Sequence, residues 1–160
     1  MRRQASGCSA FSVLILLSVV VLMLTAVQGK AQSPASQSST LFESLSFCDL
    51  SHGWVVGENG TIWATSDGGE NWKLQVSGTS TPLLGVNCVD AAHAWAVGVG
   101  KTGGVILATS NDRENWTEQR SDTSGILLTS VQFLDSRRGW VAGDKGAIWA
   151  TTDGGENWQL

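Results

Sequence analysis

Tyrosine is absent from the 160-residue sequence, and arginine is scarce. Beyond residue 29 the chain carries four arginines, of which only Arg137 and Arg138 are adjacent. A glycoside hydrolase of the sialidase type needs a tyrosine nucleophile, an acid/base carboxylate and a cluster of arginines. The residues present therefore disfavour that class of enzyme.

The sequence also lacks the usual marks of metal, cofactor and nucleophile chemistry. Its two histidines and three cysteines show no zinc-ligand spacing, and there is no Ser/His/Asp motif and no phosphate-binding loop. His52 and His93 each lie two residues before a tryptophan of the repeats described below, which indicates repeat positions. We therefore expect no metal, no cofactor and no enzymatic activity. The net charge of −4 argues against nucleic acid or an anionic membrane surface as the partner.

The first 29 residues are typical of an export signal. Arg2 and Arg3 precede an uncharged apolar run, Phe11–Val27. The run is 17 residues long, and the lower limit for a membrane-spanning helix is about 17, so an uncleaved anchor remains an alternative. Either reading predicts an exported chain, in the periplasm, the extracellular space or the thylakoid lumen. Residues 30–40 are rich in Ser, Gln and Ala and should form a flexible linker.

Three repeats follow the linker. They cover approximately 41–80, 81–124 and 125–160. Each contains a (Gly/Ala)-Trp-x-x-Gly segment and then Glu-Asn-Trp, whose tryptophans Trp72, Trp116 and Trp158 are spaced by 44 and 42 residues. A period of about 40–50 residues is typical of a four-stranded propeller blade. All eight tryptophans occupy repeat positions, which favours core packing over carbohydrate stacking.

The first repeat shows the four strands most clearly. They are predicted at Ser44–Cys48, Trp54–Gly57, Ile62–Thr65 and Trp72–Val76. Asn59-Gly60 favours a two-residue hairpin between the second and third strands. The fold class is therefore all-β, with three β-propeller blades. Propellers use about four to eight blades, so we expect an incomplete ring, from a fragment of a longer chain or from a subunit that completes its ring with others.

The turn between the third and fourth strands has the form Ser/Thr-x-Asp-x-Gly-x-x-Trp, the Asp-box or BNR motif. The carboxylate accepts backbone N–H bonds within the turn, the glycine allows a positive φ, and the tryptophan closes the turn. Because the motif recurs once per blade, we interpret its residues as structural and not catalytic. They are Thr65, Asp67, Gly69 and Trp72; Thr109, Asn111 and Trp116; and Thr151, Asp153, Gly155 and Trp158. The second copy has Arg113 in place of the glycine.

The pattern from Phe133 to Trp158, Phe-x-Asp…Gly-Trp-x-x-Gly…Gly-x-Ile-x-x-Thr-x-Asp-Gly-Gly-x-x-Trp, resembles the repeat of the photosystem II stability/assembly factor family. The resemblance covers roughly residues 41–160. It implies a non-enzymatic exported β-propeller that binds a newly made reaction-centre subunit or another polypeptide. The family's binding role is associated with an Arg-rich surface, whereas these blades are acidic.

Candidate partner-binding residues are therefore few. Arg137-Arg138 lies before Trp140, and Lys101 lies in a loop, Gly100–Gly104, that is three residues longer than its counterparts. A solvated loop pair and a tolerated surface insertion are the alternative interpretations. The alternative function is an extracellular glycan-binding or glycoside-hydrolase Asp-box protein whose active site lies in further blades.

Two cysteines remain after the export segment. Cys48 lies six residues before Trp54 and Cys88 seven residues before Trp95. Neighbouring offsets along a strand point to opposite faces, so we expect two buried free thiols and no disulfide between them.

Overall fold

The computed structural model describes residues 40–110, 115–121 and 124–160. The predicted export segment, residues 1–29, and all but the last residue of the linker, 30–40, lie outside the described residues. Within the described ranges, no helix is long and apolar enough to cross a membrane.

The described residues form eleven strands in three antiparallel sheets, and they confirm the all-β prediction. The strands are β1 (Phe42–Phe47), β2 (Gly53–Gly57), β3 (Ile62–Thr65), β4 (Lys73–Gln75), β5 (Leu83–Cys88), β6 (Ala94–Val99), β7 (Gly104–Thr109), β8 (Thr117–Ser121), β9 (Leu128–Phe133), β10 (Gly139–Gly143) and β11 (Ile148–Thr151). Strands β1–β4, β5–β8 and β9–β11 make the first, second and third sheets, each in chain order. In the third sheet, Gln159 forms an antiparallel bridge with Ala150 at the place of a fourth strand.

The sheets stack face against face, and this stacking forms the core. We call the face of a sheet that is directed at the preceding sheet its upstream face, and the opposite one its downstream face. In the first interface, the downstream face of the first sheet, with Trp54 and Ile62, packs against the upstream face of the second, with Val86 and Cys88. All four side chains are buried.

The second interface repeats this arrangement one sheet further along the chain. Trp95 and Ile106, on the downstream face of the second sheet, pack against Val131 and Phe133, on the upstream face of the third. Because the second sheet is covered on both faces, β6 and β7 are almost continuously buried and apolar.

A bulge recurs at the start of the first strand of each sheet. In the first sheet the register shifts between Phe42 and Ser44, and the same irregularity recurs in the other two sheets. Next to it, Gly57 lies so close to the chain that a Cβ would overlap the carbonyl oxygen of Leu41. Gly98 and Gly143 are crowded in the same way. This contact explains the last glycine of the (Gly/Ala)-Trp-x-x-Gly segment.

The hairpin between β2 and β3 forms as predicted, with positive φ values of 56° at Asn59 and 68° at Gly60. The third sheet uses the same turn, with Lys145 at φ 53°. In the second sheet the extra residues lengthen β6 and β7 to six residues each, and Gly100 closes the loop by donating to the carbonyl of Gly103.

The predicted strand bounds are correct to within two residues in the first sheet, and β3 matches in full. Strand β4 is shorter than the predicted Trp72–Val76. Val76 leaves the sheet to form a parallel bridge with Asn115 of the next repeat. This bridge ties the outer edges of two blades together.

The two thiols are free, and they lie in the same interface. Cys88 is buried and Cys48 is half-buried. Their strand faces are opposite, as predicted, but the inference that this separates them is wrong. The downstream face of the first sheet packs on the upstream face of the second sheet. Cys48 lies on the first of these faces and Cys88 on the second, so the two side chains lie in the same interface. Burial, with the neighbouring Cys48 thiol contributing, raises the pKa of Cys88 to about 12.

Candidate partner-binding site

The Asp-box turn of the first sheet is built around Thr65 and Asp67. The Thr65 hydroxyl donates to Asp67 Oδ1 over 2.8 Å and accepts the Gly69 N–H over 2.9 Å. Asn71 donates its backbone N–H to Asp67 Oδ1 over 2.9 Å and its side-chain amide to Oδ2 over 2.8 Å. Both carboxylate oxygens are therefore engaged within the turn, and Gly69 adopts φ 93°.

The turn of the third sheet has the same geometry to within about 0.1 Å, as its four corresponding hydrogen bonds show. The side chain and backbone N–H of Asn157, with the Thr151 hydroxyl, lower the pKa of Asp153 to about 2. The backbone and side chain of Asn71 lower the pKa of Asp67 in the same manner. Both carboxylates are ionised at neutral pH and serve as turn acceptors, an arrangement that suits a structural role.

The second Asp-box differs from the other two. Its Asn111 and Arg113 lie outside the described residues. Trp72 and Trp158 meet the phenylalanine of their own sheet edge-on, at ring-centroid distances of 6.1 and 5.9 Å. Trp116 instead is buried in the first interface, where its Nε1 donates to Gln75 Oε1 over 2.7 Å.

The arginine pair lies in the turn between β9 and β10. Asp135 Oδ1 accepts the backbone N–H groups of Arg137 and Arg138, and Oδ2 accepts Nε and Nη2 of Arg138 over 2.8 and 2.7 Å. These bonds, led by the Arg137 N–H, lower the pKa of Asp135 to about 2. The Arg137 carbonyl accepts the N–H of Gly154, which fixes this turn beside the Asp-box.

Arg138 occupies a repeat position, whereas Arg137 does not. In the first sheet Asp49 binds His52 Nδ1 over 2.8 Å in the same turn, and in the second Asp90 binds His93. Arg138 therefore replaces a turn histidine. Arg137 stands where the other repeats have Ser51 and Ala92, and its guanidinium makes no hydrogen bond or ion pair with any described residue.

A shallow surface cavity of about 290 Å³ adjoins this turn, lined by Asp135, Ser136, Arg137, Arg138 and Thr152. Its one uncompensated charge among these lining residues is that of Arg137, because Arg138 is paired with Asp135. The cavity can accept a carboxylate or a backbone carbonyl of a polypeptide. Elsewhere in the described ranges, no cluster of three or more His, Cys, Asp or Glu side chains could hold a metal ion.

Lys101 does not join the arginine pair. It lies in the β6–β7 loop, and consecutive hairpins of an antiparallel sheet turn at opposite ends. At that end Gly125 donates to the carbonyl of Thr102, and Lys145 Nζ donates to the carbonyl of Gly125 over 2.9 Å. A separate cavity of about 160 Å³ lies beside Lys101, so the predicted binding residues divide between two ends of the blades.

Sequence reasoning missed Asn71, Asn157 and Gln75. The asparagines were visible, because Glu-Asn-Trp occurs in all three repeats. A glutamine also recurs three residues after Trp72 and Trp116, as Gln75 and Gln119. The partners of Gln75, Trp54 and Trp116, lie 21 and 41 residues away and could not be read from the sequence.

The chain is similar to proteins of known family in sequence and in fold. A profile of the family described as Photosynthesis system II assembly factor YCF48 matches residues 30–120, more than half of the chain. The chain belongs to this family. A comparison with curated proteins gives no match.

Two solved structures of the YCF48 family are similar to the chain. One, titled YCF48 bound to D1 peptide, is 28% identical with a TM-score of 0.65, over 76% of this chain and 40% of that one. The other, YCF48 from Cyanidioschyzon merolae, is 27% identical with a TM-score of 0.62, over 81% of this chain and 38% of that one. The chain thus spans about two fifths of the length of these relatives.

Proposed function

We propose that the chain is a non-enzymatic scaffold that binds a polypeptide segment of a photosystem II reaction-centre subunit. The observation that carries the proposal is the similar structure of YCF48 bound to D1 peptide, which matches 76% of this chain. Residues 1–29 are the proposed export signal or anchor, 30–40 the linker and 41–160 the propeller repeats. The scaffold then works on the exported side of the membrane, in photosynthetic cells in the thylakoid lumen.

The described residues support a binding role over catalysis. Asp67 and Asp153 accept the same hydrogen bonds in two equivalent turns. A catalytic carboxylate would be expected in one blade and not in each of them. Stacked sheets give a rigid frame, and rigid frames bind peptides at low entropic cost. Nothing in this arrangement requires a cofactor.

The proposed contact is the cavity beside Arg137. Asp135 holds the turn and pairs with Arg138, so the turn is preorganised and the Arg137 guanidinium is left to meet the ligand. An Arg side chain can bind a carboxylate through two parallel hydrogen bonds. We assign Arg137 the contact with an acidic side chain or a backbone carbonyl of the bound segment, and Arg138 the positioning of the turn. Lys101 stays a candidate for a second contact at the other end.

The test is the affinity of the full chain for a fluorescent D1 peptide, measured by anisotropy. We expect binding that weakens as salt rises. Arg137→Ala should weaken it roughly two- to fivefold, the range of a solvent-accessible ion pair. Lys73→Ala is the matched control, since it removes one exposed cation from β4 that lines neither of the two cavities.

The outcomes separate the function from the residue assignment. If Arg137→Ala and Lys73→Ala bind the peptide equally well, the contact assigned to Arg137 is wrong. If the folded wild-type chain does not bind the peptide at any salt concentration, the proposed function is wrong for this chain. Release of sugar from a glycan substrate would instead favour the glycoside-hydrolase alternative.

A further inference from the structure

The two cysteines of the blades lie together in the first interface. Cys48 directly follows β1 of the first sheet, and it packs against the buried cluster that contains Cys88, the last residue of β5 in the second sheet. Between these strands, Ser46 Oγ lies 3.5 Å from Cys88 Sγ and accepts the Cys88 N–H over 3.3 Å. Residues two apart along an extended chain share a face, so the Cys48 side chain lies beside this contact.

The second interface has the same pair of positions without sulfur. Val89 and Phe133 stand there in place of Cys48 and Cys88, and both pack in the second core cluster. Two apolar side chains are therefore sufficient for packing at these positions. In the first interface cysteine occupies both of them, and it occurs nowhere else beyond residue 8. The presence of both thiols at one contact indicates that they react with each other.

We propose that Cys48 and Cys88 form a disulfide when the chain meets a thiol oxidant, and that this bond joins the first sheet to the second. The structure contains the reduced pair. Compartments on the exported side of a membrane are those in which disulfides typically form and persist. The link lies within the frame of the blades, so it does not depend on which polypeptide the chain binds.

The reaction is a thiol–disulfide exchange, and the oxidant is itself a disulfide. Cys48 is half-buried and Cys88 is buried, so the oxidant reaches Cys48 first. The Cys48 thiolate attacks one sulfur of the oxidant, and the other sulfur leaves and takes up the Cys48 proton. Cys88 then loses its proton and attacks Cys48 Sγ, which forms the new bond and releases the second thiol of the oxidant. Two protein thiols are oxidised, and one disulfide is reduced to two thiols.

The surroundings of Cys88 make the second exchange the slower one. The thiolate is the attacking form, and burial, the largest cause, raises the pKa of Cys88 to about 12. Cys48 Sγ donates to the carbonyl of His52 over 3.5 Å, which fixes its position. The mixed disulfide on Cys48 should therefore accumulate before the bond to Cys88 forms.

The test is oxidation of the folded full chain by glutathione disulfide, followed by blocking of free thiols and peptide mass spectrometry without reduction. Trypsin cleaves after Lys30, Lys73 and Lys101, so Cys48 and Cys88 lie in separate peptides, 31–73 and 74–101. We expect a disulfide to join these two peptides. The melting temperature should rise by about 5–10 °C, because the link limits the conformations of the unfolded chain. A reducing agent should reverse both changes.

All samples carry Cys8→Ser, which removes the third thiol of the sequence. Cys88→Ser should stop at the mixed disulfide of Cys48, and Cys48→Ser should leave Cys88 reduced. The matched control combines Cys48→Ser with Phe47→Cys, which moves the thiol by one residue to the opposite face of the strand, and it should form no link to Cys88. Near-UV circular dichroism checks that each variant is folded.

The proposal is overturned if the folded chain keeps both thiols free in excess glutathione disulfide, or if each thiol carries its own glutathione and no joined peptide forms. It is also overturned if the matched control links to Cys88 as rapidly as the chain with Cys48, because the link would then not reflect the contact in the fold. Reaction of Cys88 in the Cys48→Ser variant would overturn the assigned order of the two exchanges.

Discussion

The two interfaces between the sheets use the same positions but different chemistry. In the second, Trp95 stacks on Phe133 with ring centroids 3.5 Å apart and an interplanar angle of 5°. In the first, Cys88 stands at the position of Phe133, and no ring among the described residues stacks on Trp54. Its indole instead shares the side-chain oxygen of Gln75 with the indole of Trp116. The first interface is held by the buried amide of Gln75. The second is aromatic, and there the Gln119 amide donates to the carbonyl of Gly154 over 2.8 Å.

A hydrogen bond between the first strands is common to both interfaces. Ser46 Oγ accepts the N–H of Cys88 over 3.3 Å in the first, and Asn87 Oδ1 accepts the N–H of Phe133 over 2.7 Å in the second. Ser46 and Asn87 are at equivalent positions in register. The fold therefore fixes the position of this inter-blade hydrogen bond, and either serine or asparagine can supply the acceptor.

The largest expected effect comes from breaking the aromatic interface. Phe133→Ala removes the ring on which Trp95 lies, and it should lower the free energy of unfolding by about 3–5 kcal/mol. The measurement is urea unfolding followed by tryptophan fluorescence. Phe47→Ala is the matched control, because Phe47 is the equivalent residue and is 42% exposed. Equal losses in the two variants would contradict the comparison.

The amide interface should respond to Gln75→Leu. This substitution leaves the indole N–H groups of Trp54 and Trp116 buried without an acceptor, and it should cost about 2 kcal/mol of unfolding free energy. Adding Trp116→Phe removes one of these donors, so the double variant should lose about 1 kcal/mol less than the sum of the single variants. Strict additivity in this cycle would show that Gln75 does not join the two rings.

The Asp-containing turns of the first and third sheets should lose stability together in acid. Asp49, Asp135 and Asp153 have pKa values of about 2 in the folded chain, below the value of about 3.9 for an unperturbed Asp. Their stabilisation is therefore fully present above about pH 4, and it is lost as the pH falls toward about 2. Melting temperatures measured from pH 7 to pH 2 should show this loss.

Asp153→Asn sharpens the acid experiment. Asparagine cannot titrate, so the variant should melt lower than the wild type at pH 7 but should depend less on pH between about 4 and 2. An unchanged pH profile would mean that the Asp153 turn does not contribute to the acid transition.

The smallest effect concerns the hairpins of the first and third sheets. Lys145 has φ 53° where the first sheet has Asn59 at φ 56°, and asparagine tolerates this conformation better than lysine does. Lys145→Asn should raise the free energy of unfolding by about 0.5 kcal/mol, and the reverse change, Asn59→Lys, should lower it by a similar amount. Both changes in the free energy of unfolding are measurable by denaturant unfolding. A change of the same sign in the two variants would contradict the assignment to backbone strain.

Local patterns predicted the strands and turns well. The Asn59-Gly60 turn and the bounds of β3 depend on residues that are neighbours in the sequence, and so local propensities are sufficient to find them. Contacts between blades were not predictable in this way. Gln75 and Gln119 recur three residues after the last tryptophan of their repeats, but the partner of Gln75, Trp116, lies 41 residues away in the sequence, so local patterns do not reveal the contact.

The site was predicted only in part, for a topological reason. Arg137, Arg138 and Lys101 were chosen because they are basic residues in irregular loops. The hairpins β5–β6 and β9–β10 turn at one end of the blades, and β6–β7 turns at the other. Lys101, in the β6–β7 loop, therefore lies at the opposite end from the arginine pair. The pairing of Arg138 with Asp135 became visible only with side chains in place.

The crowded glycine beside each bulge has a consequence for recognising blades in divergent sequences. The second repeat has lost the Asp-box glycine to Arg113, yet it keeps Gly98, where a Cβ would overlap the carbonyl oxygen of Pro82. Glycine is still required at this position in a repeat whose Asp-box has diverged, because the Cβ of any other residue would overlap the backbone. Glycines three residues after a tryptophan, recurring at blade spacing, are therefore a more durable marker for counting and aligning blades than the Asp-box.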